Sequence, residues 1–176
     1  RIKKDFEDKL FVPHRQADAR KYANELFKEE KLAEAAAAYQ RLLPFASDRD
    51  AGLYANLAAV FVKQWRWNDA LQMCDKAHSI DPNHTKAMYR RAQALRGLKS
   101  FEEALLVLEQ VRVATDFSPN AELNALEKGL KKDIEKVKAA EEEKRAAELR
   151  AARREENTKE KLAEKERVAR AAKEAR

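Results

Sequence analysis

Apolar positions recur along this chain at a fixed offset. Sliding it by 34 residues lays Tyr54 on Met88, Ala58 on Ala92, Phe61 on Leu95, Trp67 on Phe101, Ala70 on Ala104, Cys74 on Leu108 and Ala77 on Val111. Sliding by 35 the other way gives a third copy, with Ala23 on Ala58, Leu26 on Phe61, Leu32 on Trp67, Ala35 on Ala70, Tyr39 on Cys74 and Leu42 on Ala77. Within each copy the apolar residues stand three or four apart, the period of a helix with one buried face. A repeat of this length holds two such helices, a hairpin that cannot bury its face alone. Stacked copies share one continuous core, and their first helices line a concave inner surface.

The pattern predicts first helices over about 14–30, 50–64 and 83–97, with partners over about 32–43, 67–80 and 100–114. Ser47 or Asp48 is the expected N-cap of the third helix, and Ser100 with Glu103 has the spacing of a capping box. Gly97 fits a helix C-terminus. Alanines at 23, 35, 58, 70, 92 and 104 would let helix backbones approach closely. Ser118-Pro119 is expected to open a seventh helix. Its stripe of Leu123, Leu126, Leu130, Ile134 and Val137 would cap the third hairpin.

The fold class expected is therefore all-α: a lead-in over 1–13, three repeats over 14–118 (about 16–48, 51–84 and 85–118), a capping helix over 119–138 and a charged helical extension over 139–176. In the lead-in, Ile2, Phe6 and Leu10 suggest a short amphipathic turn, closed by Pro13. In the extension, acidic and basic residues three or four apart support a helix without a core, which Asn157-Thr158 would fray.

Composition narrows the function. Charged residues make up 39% of the chain and the net charge is +6, a mild basic bias that suits an anionic partner. From residue 121 onward, 17 Lys and Arg face 14 Asp and Glu, so the excess is not gathered into a basic arm. The single cysteine excludes an internal disulfide and points to a reducing compartment. No apolar run is long enough to cross a membrane. The chain opens on Arg1 rather than Met, which suggests a piece of a longer protein.

Candidate chemistry gathers on the first helices. With Ala23, Ala58 and Ala92 as angular zero, Arg20 falls at about 60°, Asn24 at about 100°, Lys86 at about 120°, and Asn56 and Arg90 at about 160°. Three cations and two amides thus share one sector across three stacked helices. That combination suits a carboxylate, because cationic donors make charge-assisted hydrogen bonds to it. Elsewhere the plainer readings win. Trp67 aligns with Leu32 and Phe101 and belongs to the core rather than to a base-stacking platform, while Trp65 falls at a hairpin turn without an assigned role. His14, His78, His84 and Cys74 lack metal-ligand spacing. No nucleophile or acid–base pair is proposed by the sequence.

These residues carry a family resemblance. The ANELF, YANLAA and KAMYRRA segments resemble tetratricopeptide repeats of the carboxylate-clamp type, found in co-chaperones and large immunophilins, over about residues 14–137. The resemblance implies a right-handed superhelix and a cytoplasmic protein-interaction module without enzymatic activity or cofactor. It implies a partner in the C-terminal Glu-Glu-Val-Asp tail of a heat shock protein of the 90 or 70 class. It places the clamp at Arg20, Asn24, Asn56, Lys86 and Arg90, with Phe27 as an apolar peptide contact. Arg20 departs from the family's usual Lys, and Ala23 from a common Gly. A prolyl-isomerase domain upstream would be in keeping with the immunophilin likeness, but none of it lies in this chain. Two other functions remain open on the sequence. One is a scaffold that binds a non-chaperone partner through the groove, with a cytoskeletal or calmodulin contact on the long helix. The other is nucleic-acid binding by the basic helices. No membrane association is expected.

Overall fold

The computed structural model describes residues 13–45, 50–118 and 120–174. The lead-in through residue 12, Ser47, Asp48 and Pro119 lie outside them. The elements are α1 (Pro13–Lys28), α2 (Leu32–Leu42), a 3₁₀ turn (Leu43–Phe45), α3 (Ala51–Lys63), α4 (Trp67–Ile80), α5 (Thr85–Gly97), α6 (Phe101–Ala114) and α7 (Ala121–Glu174). No strand occurs among the described residues. The described residues from Pro13 to Lys131 form one compact unit and residues 132–174 belong to a second.

The repeat read from the sequence is visible as burial. The alanines at 23, 35, 58, 70, 92 and 104 are all fully buried, at 0% exposure. Leu26, Phe61 and Leu95 are buried at one aligned position, and Tyr39, Cys74 and Leu108 at another. The alanines bring helices into close contact, and the larger residues fill the space around them. Each large side chain so buried contributes about 1.5–3 kcal/mol. Helices α1 and α2, α3 and α4, and α5 and α6 form the hairpins, while α2–α3, α4–α5 and α3–α5 contacts stack them.

Each hairpin turns through one residue with positive φ: Glu30 at 59°, Trp65 at 59° and Lys99 at 64°. These positions repeat with the hairpins, and none is a glycine. Gly97 does end α5, as its position suggested, but the left-handed conformation falls to Lys99.

Caps differ from the expected ones. Asp50 caps α3, accepting the Leu53 N–H at 3.1 Å. His84 Nδ1 accepts the Ala87 N–H at 3.1 Å, so α5 starts at Thr85 rather than near Asn83. Ser100 precedes α6 without a side-chain cap; its N–H donates to the Leu95 carbonyl at 2.9 Å and Glu103 pairs with Arg91 at 3.4 Å, so no capping box closes. Helix α7 is capped by Asn120 rather than Ser118; its Oδ1 accepts the Glu122 and Leu123 N–H groups at 2.9 and 3.1 Å.

The first turns of α7 seal the third hairpin. Leu123, Leu126 and Leu130 are buried in one cluster with Leu95, Val107, Leu108 and Val111. Arg112 of α6 reinforces the seam by donating to Glu127 and, at 2.8 Å, to Asn124 Oδ1. Within the second unit the helix runs unbroken through Asn157 and Thr158, where fraying was expected. The Thr158 hydroxyl donates to the Glu155 carbonyl at 2.7 Å, so it bonds back into the helix without ending it. Leu149, Leu162 and Val168 stand exposed there. No described helix is long and apolar enough to cross a membrane.

Candidate functional site

Helices α1, α3 and α5 stand side by side because their buried alanines face α2, α4 and α6, which turns their polar faces the other way. Between those faces lies a groove of about 420 Å³. Asn24 and Phe27 line it from α1, Ala55, Asn56 and Ala59 from α3, and Lys86, Tyr89 and Arg90 from α5. Tyr39 lies at its base, and Val111, Leu123 and Glu122 bound it on the side of α6 and α7. Four of the five expected polar positions, with Phe27, therefore share one concave surface.

The amides are held in place. Asn24 Oδ1 accepts the Tyr39 hydroxyl and, at 3.3 Å, the Asn56 Nδ2 group. Tyr39 is 1% exposed, and burial raises its phenol above the ordinary value, so it stays a neutral donor. The chain Tyr39–Asn24–Asn56 thus links two repeats and aligns their amides.

The cations are differently placed. Lys86 is exposed and forms no ion pair with a described carboxylate. Arg90 is half-buried; its Nη1 donates to Gln93 Oε1 at 2.8 Å and its guanidinium lies 5.3 Å from the centre of the Tyr89 ring. Both partners of Arg90 are neutral, so its charge is not cancelled locally. Glu122 is the acidic member among the residues lining the groove. Burial raises the Tyr89 phenol first, and the Glu122 charge adds to that effect.

Arg20 lies elsewhere. It lines a neighbouring depression of about 390 Å³ with Gln16, Lys21, Phe45 and Asp50, and Asn24 lines both. Its Nη2 stands 2.6 Å from Asp50 Oδ1 and 2.7 Å from Oδ2. Asp50 was not singled out in the sequence, and neither were Tyr39, Tyr89 and Glu122. Tyr39 carried a signal, since a tyrosine at a core position needs a partner for its hydroxyl. No cluster that could hold a metal ion is present among the described residues.

A family model for the tetratricopeptide repeat matches residues 61–127. The second tetratricopeptide domain of human RPAP3, solved in complex with the HSP70 peptide SGPTIEEVD, superimposes with a TM-score of 0.61. It is 30% identical, and the match covers 68% of this chain and 98% of that one. The chain belongs to the tetratricopeptide repeat family. The TPR2B domain of yeast Sti1, solved in complex with an Hsp70 peptide, is 28% identical with a TM-score of 0.62, over 66% of this chain and 96% of that one. The Hsp70-Hsp90 organizing protein of Triticum aestivum is 28% identical over 141 residues, 80% of this chain. The match covers only 23% of that protein, so the chain spans about a quarter of such a relative. Tetratricopeptide repeats form a protein-interaction fold, and in this one the groove carries polar side chains from all three first helices beside the apolar Phe27, Ala55 and Ala59.

Proposed function

We propose that this tetratricopeptide domain binds the free C-terminal carboxylate of an acidic peptide, the tail of a heat shock chaperone of the 90 or 70 class, and serves as a cytoplasmic adaptor. One observation carries the reading: Asn24, Asn56, Lys86 and Arg90 converge on a groove in which neither cation is neutralised by a described carboxylate. Lys86 and Arg90 supply charge-assisted hydrogen bonds, and the aligned amides of Asn24 and Asn56 supply neutral ones. Phe27 offers an apolar contact to the side chains that precede the terminus. Arg20, the fifth clamp position suggested by the family resemblance, can join only by leaving Asp50. The likeness to domains solved with chaperone peptides supports the same ligand class.

An affinity near micromolar, about −7 to −8 kcal/mol, is expected and should weaken with salt. The test is calorimetric titration with acetyl-Met-Glu-Glu-Val-Asp as the free acid and as the C-terminal amide. Binding of the acid, lost in the amide and in Lys86→Ala and Arg90→Ala, is the expected result. Equal binding of acid and amide would instead make the groove a scaffold for an internal segment of a partner.

A further inference from the structure

Arg20 precedes Asn24 by four residues on α1, so the two side chains leave the helix on one face. Asn24 opens into the groove, yet Arg20 is drawn aside. A single guanidinium nitrogen touches both oxygens of Asp50, at 2.6 and 2.7 Å, with the Arg and Asp side chains 34% and 26% exposed. Asp50 is fixed in turn, because its Oδ1 also accepts the Leu53 N–H as the cap of α3. A carboxylate is well suited to this spot: a helix N-terminus and a guanidinium both favour it. The bound anion is supplied by the chain itself. Asn24 lines both depressions, so Arg20 stands one helical turn from a residue of the groove.

We propose that Asp50 is a built-in competitor for the ligand's carboxylate. It keeps Arg20 out of the groove, so that Asn24, Asn56, Lys86 and Arg90 alone grip the peptide, and it caps the affinity below what five donors would reach. The inference rests on the reading of the groove given above.

The test is a double-mutant cycle read by calorimetry with the free-acid peptide acetyl-Met-Glu-Glu-Val-Asp. Asp50→Ser removes the competing charge but retains a capping side chain, and Asp50→Asn does the same should the Ser variant lose helical circular dichroism. In the wild-type background Arg20→Ala is expected to change Kd by less than about threefold, whereas Asp50→Ser tightens binding by more than about threefold. Adding Arg20→Ala to Asp50→Ser should erase that gain. A larger loss in Arg20→Ala alone, or a folded Asp50 variant without the gain, overturns the proposal. Peptide binding by the wild type without that gain sinks this inference and leaves the groove reading intact. Failure of every variant to bind the peptide ends both.

Discussion

The indole of Trp67 lies across the backbone of Gly97, so that a Cβ built on Gly97 would stand 2.3 Å from Trp67 Cδ2 and 2.4 Å from Cε2. Trp67 opens α4 and Gly97 closes α5, so this contact joins the second hairpin to the third. Alanine is normally the better helix former by about 1 kcal/mol. Here Gly97→Ala is expected to destabilise instead, by about 1–3 kcal/mol, because the half-buried ring packed on Gly97 would have to shift to admit the methyl group. Thermal unfolding checks the sign, and Trp67→Leu in the same chain should recover part of the loss. An increase in midpoint for Gly97→Ala alone would show that the ring yields freely.

Trp65 illustrates the opposite case, a large residue where glycine would suit. Its φ is 59° and its side chain is 77% exposed, so it bears a left-handed conformation without a burial gain to match. A left-handed residue other than glycine costs roughly 1–2 kcal/mol. Part of this is offset in a glycine variant by the greater freedom of its unfolded chain. Trp65→Gly should therefore stabilise by about 0.5–1 kcal/mol, measured by urea midpoint. A loss of stability would mean that the exposed indole makes a contribution its surroundings do not suggest.

The sequence was most legible where one physical requirement dominated. The six periodic alanines and the large residues between them could be placed because a packed helical hairpin leaves little choice at those positions, and all six alanines are fully buried. Helix ends were harder to read. Asp50 and Asn120 cap helices where Ser47 or Asp48 and Ser118 were the more obvious candidates, and His84 caps a helix expected to start near residue 83, since several side chains within two or three residues could serve. The site shows the same division. Helical angles brought Asn24, Asn56, Lys86 and Arg90 to one groove, because those angles depend only on position along each helix. They could not foresee Arg20 turning to Asp50, a partner 30 residues away whose place is fixed by the start of α3. A shared face tells where a side chain begins, and long-range charge decides where it ends.

Cys74 should be chemically silent in the folded protein. It is 1% exposed, and its thiol is pushed up to about 12, by burial first and by the neighbouring Asp75 second. The thiolate is the reactive form, so the native chain should react with a disulfide reagent at pH 8 at least about 100-fold more slowly than the urea-unfolded chain. The measurement is the rate of thiol labelling with and without denaturant. Similar rates would mean that α4 opens readily and that the second hairpin is far less stable than its packing implies.

Acid should weaken the seam between α6 and α7. The Glu127 carboxyl is held below its ordinary range by the hydrogen bond from Lys131 first and by that from Arg112 second. A carboxyl lowered in the folded state binds fewer protons there than in the unfolded chain. Its contribution is therefore present above the unfolded value, about 4.3, and is lost as pH falls through the lower folded value. Glu127→Gln should cost up to about 1 kcal/mol at pH 7, the usual ceiling for such partly exposed pairs. The difference should shrink below about pH 4, where the wild-type carboxylate becomes protonated as well. Urea midpoints of both proteins at pH 7, 5 and 3.5 separate this from a packing effect. A gap that stays constant across that range would show that the loss does not follow the Glu127 charge, since the amide keeps the shape of the carboxyl but does not titrate.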